Sequence, residues 1–197
     1  MTMKVNDELW SKHQYQMLVS FVHHLAYSRV LRSLYNELQQ KSEFWTRTID
    51  AHLLRAVIDW CMVFGTDSSE IHWKKVIVDK EMQCAFRQRL LKLGKFKSDQ
   101  WDDYWDDMTT FRNKYAAHRT AEEIYPTTPM MDTAFLVCLT YDHWIRDWLR
   151  ESQNAVFDEP SLEERYERVT HTSQKLLKPL VELGPTDEQE YEGNVPQ

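Results

Sequence analysis

Large apolar side chains return at steps of three and four through the first part of the chain, at Leu18, Phe21, Val22, Leu25, Val30, Leu31, Leu34 and Leu38. That is the spacing of one face of an α-helix. It predicts a long amphipathic helix over about 7–38, with Asn6 or Asp7 as its N-cap. A second stripe, Trp45, Ile49, Leu53, Ala56, Val57, Trp60, Cys61 and Phe64, keeps the same period and stops at Gly65. It predicts a helix antiparallel to the first. The stretch from Gly65 to Asp79 reads as a loop with a short helical turn. Its Val76-Ile77-Val78 run is strand-like but too isolated to build a sheet.

Helix is expected again over about 80–93, ending at Gly94, and then from a cap at Ser98 or Asp99 to about His118. After the link holding Pro126 and Pro129, a helix over about 130–151 buries Ala134, Val137, Cys138, Tyr141, Ile145, Trp148 and Leu149. A last helix over about 161–181 is announced by Ser161 with Glu164 three residues later, a capping box. The expected fold is therefore all-α, an antiparallel helical bundle of about five to six helices with an additional C-terminal helix.

Composition narrows this picture. A chain of 197 residues with eight tryptophans and 42% hydrophobic residues fits one domain with its own core, placed at 1–183. Four glycines in the whole chain leave few breaks for β-rich structure. The segment 184–197 is acidic and poor in large apolar side chains, so a disordered tail is expected there. Cys61, Cys84 and Cys138 are odd in number and lack a paired C-x-x-C spacing, which disfavours zinc and redox pairs and suits a reducing, cytoplasmic setting. No apolar run approaches the roughly 18 to 20 residues of a membrane span, so no membrane is expected.

A net charge of −7 argues against non-specific coating of nucleic acid. The charge is uneven, however. Lys74, Lys75, Lys80, Arg87, Arg89, Lys92, Lys95 and Lys97 face only Asp79 and Glu81 in their stretch, which reads either as a solvated helix face or as a surface for a polyanion.

Several groups of residues invite chemistry. His23 and His24, with Tyr27 beside them and His52 or Asp59 on the next helix, suggest a metal, but the paired Glu-x-x-His signature of bundle metal sites is missing. No metal and no cofactor are expected. Asp102, Asp103, Asp106 and Asp107 form two acidic pairs at four-residue spacing that could chelate a divalent cation, or, alternating with inward-facing aromatics, make a solvated face; turned to a groove they would repel RNA. His72-Trp73-Lys74-Lys75 can stack a base and hold its phosphate, or Trp73 can anchor a loop over the bundle. No Gly-rich phosphate loop, nucleophile elbow or zinc-protease helix is present, which disfavours kinases, hydrolases of those types and dehydrogenases.

The sharpest feature lies on the fourth long helix, where Trp101, Tyr104, Trp105, Met108, Phe111 and Tyr115 form one apolar stripe. At about 100° per residue, Arg112 and His118 fall on opposite flanks of it and can border one groove. A histidine can take a proton from a ribose 2′-hydroxyl or return one to a leaving 5′-oxygen, while an arginine grips the phosphate. The same spacing also allows Arg112 to pair with Asp106 or Asp107, and His118 to serve as a cation at the helix C-terminus.

The segment Arg112-Asn113-Lys114-Tyr115-Ala116-Ala117-His118-Arg119 resembles the arginine-to-histidine motif of the HEPN domains, in wording close to abortive-infection and toxin-like members. The resemblance implies a metal-independent endoribonuclease acting at a groove between two subunits, hence a homodimer with RNA as substrate. It implies Arg112 and His118 as the catalytic pair and Asn113 as a polar helper, with Lys114, Tyr115 and Arg119 contacting substrate. It also implies an antitoxin or other regulatory protein as partner. Some HEPN-like proteins bind partners or nucleotides without catalysis, so a binding or regulatory module is the alternative expectation.

Overall fold

A computed structural model describes residues 6–38, 42–94, 97–117, 127–154 and 156–182. Among these residues the regular structure is helical, with one isolated bridge at Ile77 and no strand. The elements are α1 (Asp7–Leu9), a π-helical turn (Trp10–Gln14), α2 (Tyr15–Glu37), α3 (Glu43–Phe64), the single turn α4 (Trp73–Val76), α5 (Lys80–Gly94), α6 (Ser98–Phe111), a second π-helical stretch (Arg112–Ala117), α7 (Met131–Gln153) and α8 (Leu162–Glu182). The expected all-α bundle is what forms. The tail at 184–197 lies outside the described residues.

Elements begin where side chains can take up orphan amide groups. Asn6 accepts from the Leu9 N–H at 3.0 Å and starts α1. Asp79 starts α5 by accepting from Glu81 and Met82 at 2.8 and 3.0 Å. At α8 the capping box is complete, with Ser161 Oγ accepting from Glu164 N at 3.1 Å and Glu164 Oε2 accepting from Ser161 N at 2.7 Å. The start of α6 differs by one residue from expectation. Lys97 is its N-cap, its N–H donating to Gln100 Oε1 at 2.9 Å, and Ser98 is already helical. Asn154 ends α7 in the left-handed region at φ 49°, a conformation asparagine tolerates better than most residues.

Helix α2 packs chiefly on α3 and α8, and α5 packs on α7. The core runs through Phe21, Leu25, Val57, Trp60, Phe64, Phe86, Val137 and Tyr141, all buried. Every residue of the predicted α3 stripe except the half-buried Trp45 belongs to the buried set. A buried ion pair ties the last helix to this core. Arg146 donates to Asp142 at 2.9 and 3.0 Å and to the carbonyls of Phe157, Glu159 and Pro160, while Asp142 Oδ2 accepts from Leu162 N at 3.1 Å. Burial raises the Asp142 carboxyl above its usual range, against the pull of Arg146.

The long first helix carries a feature that periodicity did not predict. Its π-helical turn is closed by i→i+5 bonds and points Trp10, Gln14 and Tyr15 all inward. Trp10 meets Tyr141 edge-on at 5.4 Å, and Gln14 donates to Ile71 O and His72 O at 2.9 and 3.0 Å while accepting from Tyr141 Oη at 2.7 Å. A buried amide with three partners repays its desolvation and fixes the 71–72 loop to α2 and α7.

Candidate functional site at the end of helix α6

Helix α6 presents the expected stripe. Met108 and Phe111 are buried, Trp101, Tyr104, Trp105 and Tyr115 pack half-buried against the core, and Asp102, Asp103, Asp106 and Asp107 are exposed, as a solvated face requires. Trp105 Nε1 donates to Phe64 O at 2.8 Å and Tyr104 Oη to Met130 O at 3.1 Å, so the indole and the phenol fasten α6 to its neighbours by their polar tips.

The α-helix ends as a register change. The Thr109 hydroxyl bonds back to Trp105 O and Asp106 O at 3.0 and 3.1 Å, occupying carbonyls that the next amides would otherwise use. The Arg112 N–H is then shared between Met108 O and Thr109 O, and from Arg112 to Ala117 the chain is π-helical. An i→i+5 helix turns less per residue than an α-helix, so a count at 100° per residue does not hold beyond Arg112. His118 and Arg119 lie outside the described residues.

Arg112 is half-buried and turned toward α3. It helps line a cleft of about 250 Å³ with Ile58, Cys61, Met62, Thr66, Ser68 and Ser69. Its guanidinium lies beside the Cys61 thiol, whose Sγ reaches Met108 O at 3.7 Å. Burial pushes that thiol up to about 12, and the nearby Arg112 charge offsets only part of the effect. Cys61 is thus a neutral thiol and no nucleophile. Arg112 Nε is buried and makes no hydrogen bond among the described residues. Asn113 and Lys114 are exposed, and the Phe111 and Tyr115 rings meet tilted at 43°, 5.3 Å apart. The hydroxyl-bearing wall of 66–69 was not foreseen. Only the Thr-Asp-Ser-Ser composition of that loop hinted at it.

His24 and His52 touch directly, Nδ1 to Nδ1 at 2.8 Å, and both are held below the usual histidine range, first by burial. Asp59 is engaged by Ser20 Oγ at 2.6 Å and by Arg55 at 2.9 Å. Trp73 is the anchor rather than a free stacking ring, buried against Phe86 at 5.1 Å. In the basic stretch, Lys74 pairs with Asp67 at 2.8 Å and Arg89 with Asp147 at 3.5 Å, which spends part of its charge internally. No helix among the described residues is long and apolar enough to cross a membrane. No family model, curated protein or solved structure matches the chain.

Proposed function

We propose that the chain is a metal-independent endoribonuclease of the HEPN type, acting as a homodimer on RNA. His118 serves as general acid and base, Arg112 as the clamp on the phosphate, and Asn113 as a polar helper, with Lys114, Tyr115 and Arg119 contacting the strand. His118 takes the 2′-hydroxyl proton as that oxygen attacks the adjacent phosphorus, and a proton is returned to the departing 5′-oxygen. Arg112 holds the non-bridging oxygens as their charge grows.

The observation that carries the reading is the state of Arg112. Among the described residues its Nε–H makes no hydrogen bond, in a wall whose other polar groups are hydroxyls and the Cys61 thiol, on a π-helical stretch of the kind that recurs at functional sites. The test is RNA cleavage by the purified protein in EDTA, with Arg112→Ala and His118→Ala compared at matched folding and oligomeric state. Each substitution is expected to lower the rate about a hundredfold or more. Absent cleavage, or cleavage that both variants retain, would overturn the proposal.

A second reading has its own support in the contact of Arg112 with the buried Cys61, which suits a structural arginine in a binding or regulatory module. Under that reading Arg112→Ala leaves the biological effect of expression intact, whereas the ribonuclease reading has the substitution abolish it.

A further inference from the structure

On the far side of the 65–69 loop lies an open cleft of about 360 Å³, at the small end of the range of ligand pockets. Its walls are aromatic. Trp101 and Trp105 stand one turn apart on α6, half-buried, while Trp73 and Phe86 form the buried part. Arg87, exposed, and Lys74 complete the lining with Asp67 and Asp102. We infer that this cleft binds one nucleotide of a single-stranded RNA, its base stacked on Trp101 and its phosphate held by Arg87.

The charges decide between occupants. Aromatic walls beside carboxylates also suit an organic cation, but that role is already filled. The Arg87 guanidinium sits 5.8 Å and the Lys74 ammonium 5.9 Å from the Trp73 ring centre, and Lys74 also binds both oxygens of Asp67 at 2.8 Å. With Lys74 neutralised by Asp67, Arg87 and Asp102 are the charges left on the lining, and the guanidinium over Trp73 already occupies the place an organic cation would take. A flat, neutral base carrying a phosphate meets instead a π-face, a guanidinium on the rim, and in exposed Asp102 an acceptor for a base N–H. Thr66 lines both this cleft and the one beside Arg112, so the two open on either side of one short loop. Arg112 lines the other cleft and not this one, and base binding here does not depend on the ribonuclease reading.

The experiment measures fluorescence anisotropy of labelled oligo(A), oligo(C) and oligo(U) with the full chain carrying His118→Ala, so that cleavage cannot interfere. Trp101→Ala and Arg87→Glu are each expected to weaken binding about tenfold. Thermal melts check folding, and Trp101→Leu, which keeps bulk but no π-face, replaces Trp101→Ala if the latter unfolds. No binding of any oligonucleotide, or binding unmoved by Arg87→Glu, overturns the site. Loss with Arg87→Glu but not with the Trp101 variant overturns the stacking. Failure of the ribonuclease reading shows separately, as absent cleavage by the unsubstituted chain.

Discussion

The described residues include two π-helical stretches that serve opposite purposes. At Trp10–Gln14 the wide turn is driven into the core, where Trp10, Gln14 and Tyr15 are fully buried and the Gln14 amide finds three partners. At Arg112–Ala117 the same kind of turn comes to the surface, exposing Asn113 and Lys114 and leaving Arg112 Nε without a partner among the described residues. The first is not free of unmet groups, since the Trp10 indole N–H also lacks a partner there. The difference lies in what surrounds the irregularity. Aromatic rings on several sides hold the first in place, whereas the second faces a cleft edged with hydroxyls. A π-helical turn by itself therefore says little about function, and its neighbours say more.

If that contrast is right, the largest stability effect belongs to the first stretch. Trp10→Ala empties a fully buried site in contact with Tyr15, Tyr141 and Phe157, and should cost about 3–5 kcal/mol in urea denaturation. Arg112→Ala removes a half-buried side chain from a surface cleft and should cost about 1 kcal/mol or less, while carrying the large loss of cleavage described above. Equal costs for the two substitutions would remove the contrast, because Arg112 would then be as structural as Trp10.

How far each stretch was legible in the sequence follows from the same physics. Helix faces were legible because burial repeats at the α-helical period. The stripes on α2, α3 and α7 follow from it, and the ends follow from residues with a specific job, such as Asn6, Gly65 and the Ser161–Glu164 pair. Neither π-helical turn was legible, since apolar spacing of three and four is counted on the assumption of a uniform 100° step. Trp10, Gln14 and Tyr15 break that step in plain view, but the polar Gln14 does not signal burial until its three partners are known. The candidate site was half-legible. The sequence singles out Arg112, while the wall opposite it comes from α3 and the 66–69 loop, whose approach depends on the Trp105 bonds to Phe64 O and Gly65 O.

Acid should loosen the first region along with the α2–α3 contact. Burial holds His72 down to about 4, against the pull of Asp67, and the His72 carbonyl is one of the two that Gln14 grips. With an ordinary value of 6.5 in the unfolded chain, the unfolded state binds this proton first as the pH falls. The contribution is therefore whole above about 6.5 and is lost progressively between about 6.5 and 4. The urea midpoint of the unsubstituted chain should fall between pH 7 and pH 5, and His72→Asn should shrink that fall. His23, His24 and His52, also held low by burial, keep the remainder. An unchanged slope in His72→Asn would mean that the neutral imidazole at the first region contributes nothing to the pH response.

The smallest effect is the most discriminating for the second region. Arg112 and Cys61 are neighbours, and the question is whether the arginine is there for the thiol. Because burial keeps Cys61 protonated, their contact is a weak hydrogen bond to sulfur and carries no ion-pair energy. A double-mutant cycle of Cys61→Ala and Arg112→Ala should then return a coupling below about 0.5 kcal/mol in stability. A coupling well above 1 kcal/mol would make the pair a structural unit and move Arg112 into the same class as Gln14, a polar group held by its own fold. Weak coupling removes Cys61 as the reason for the arginine, as the phosphate-clamp reading expects.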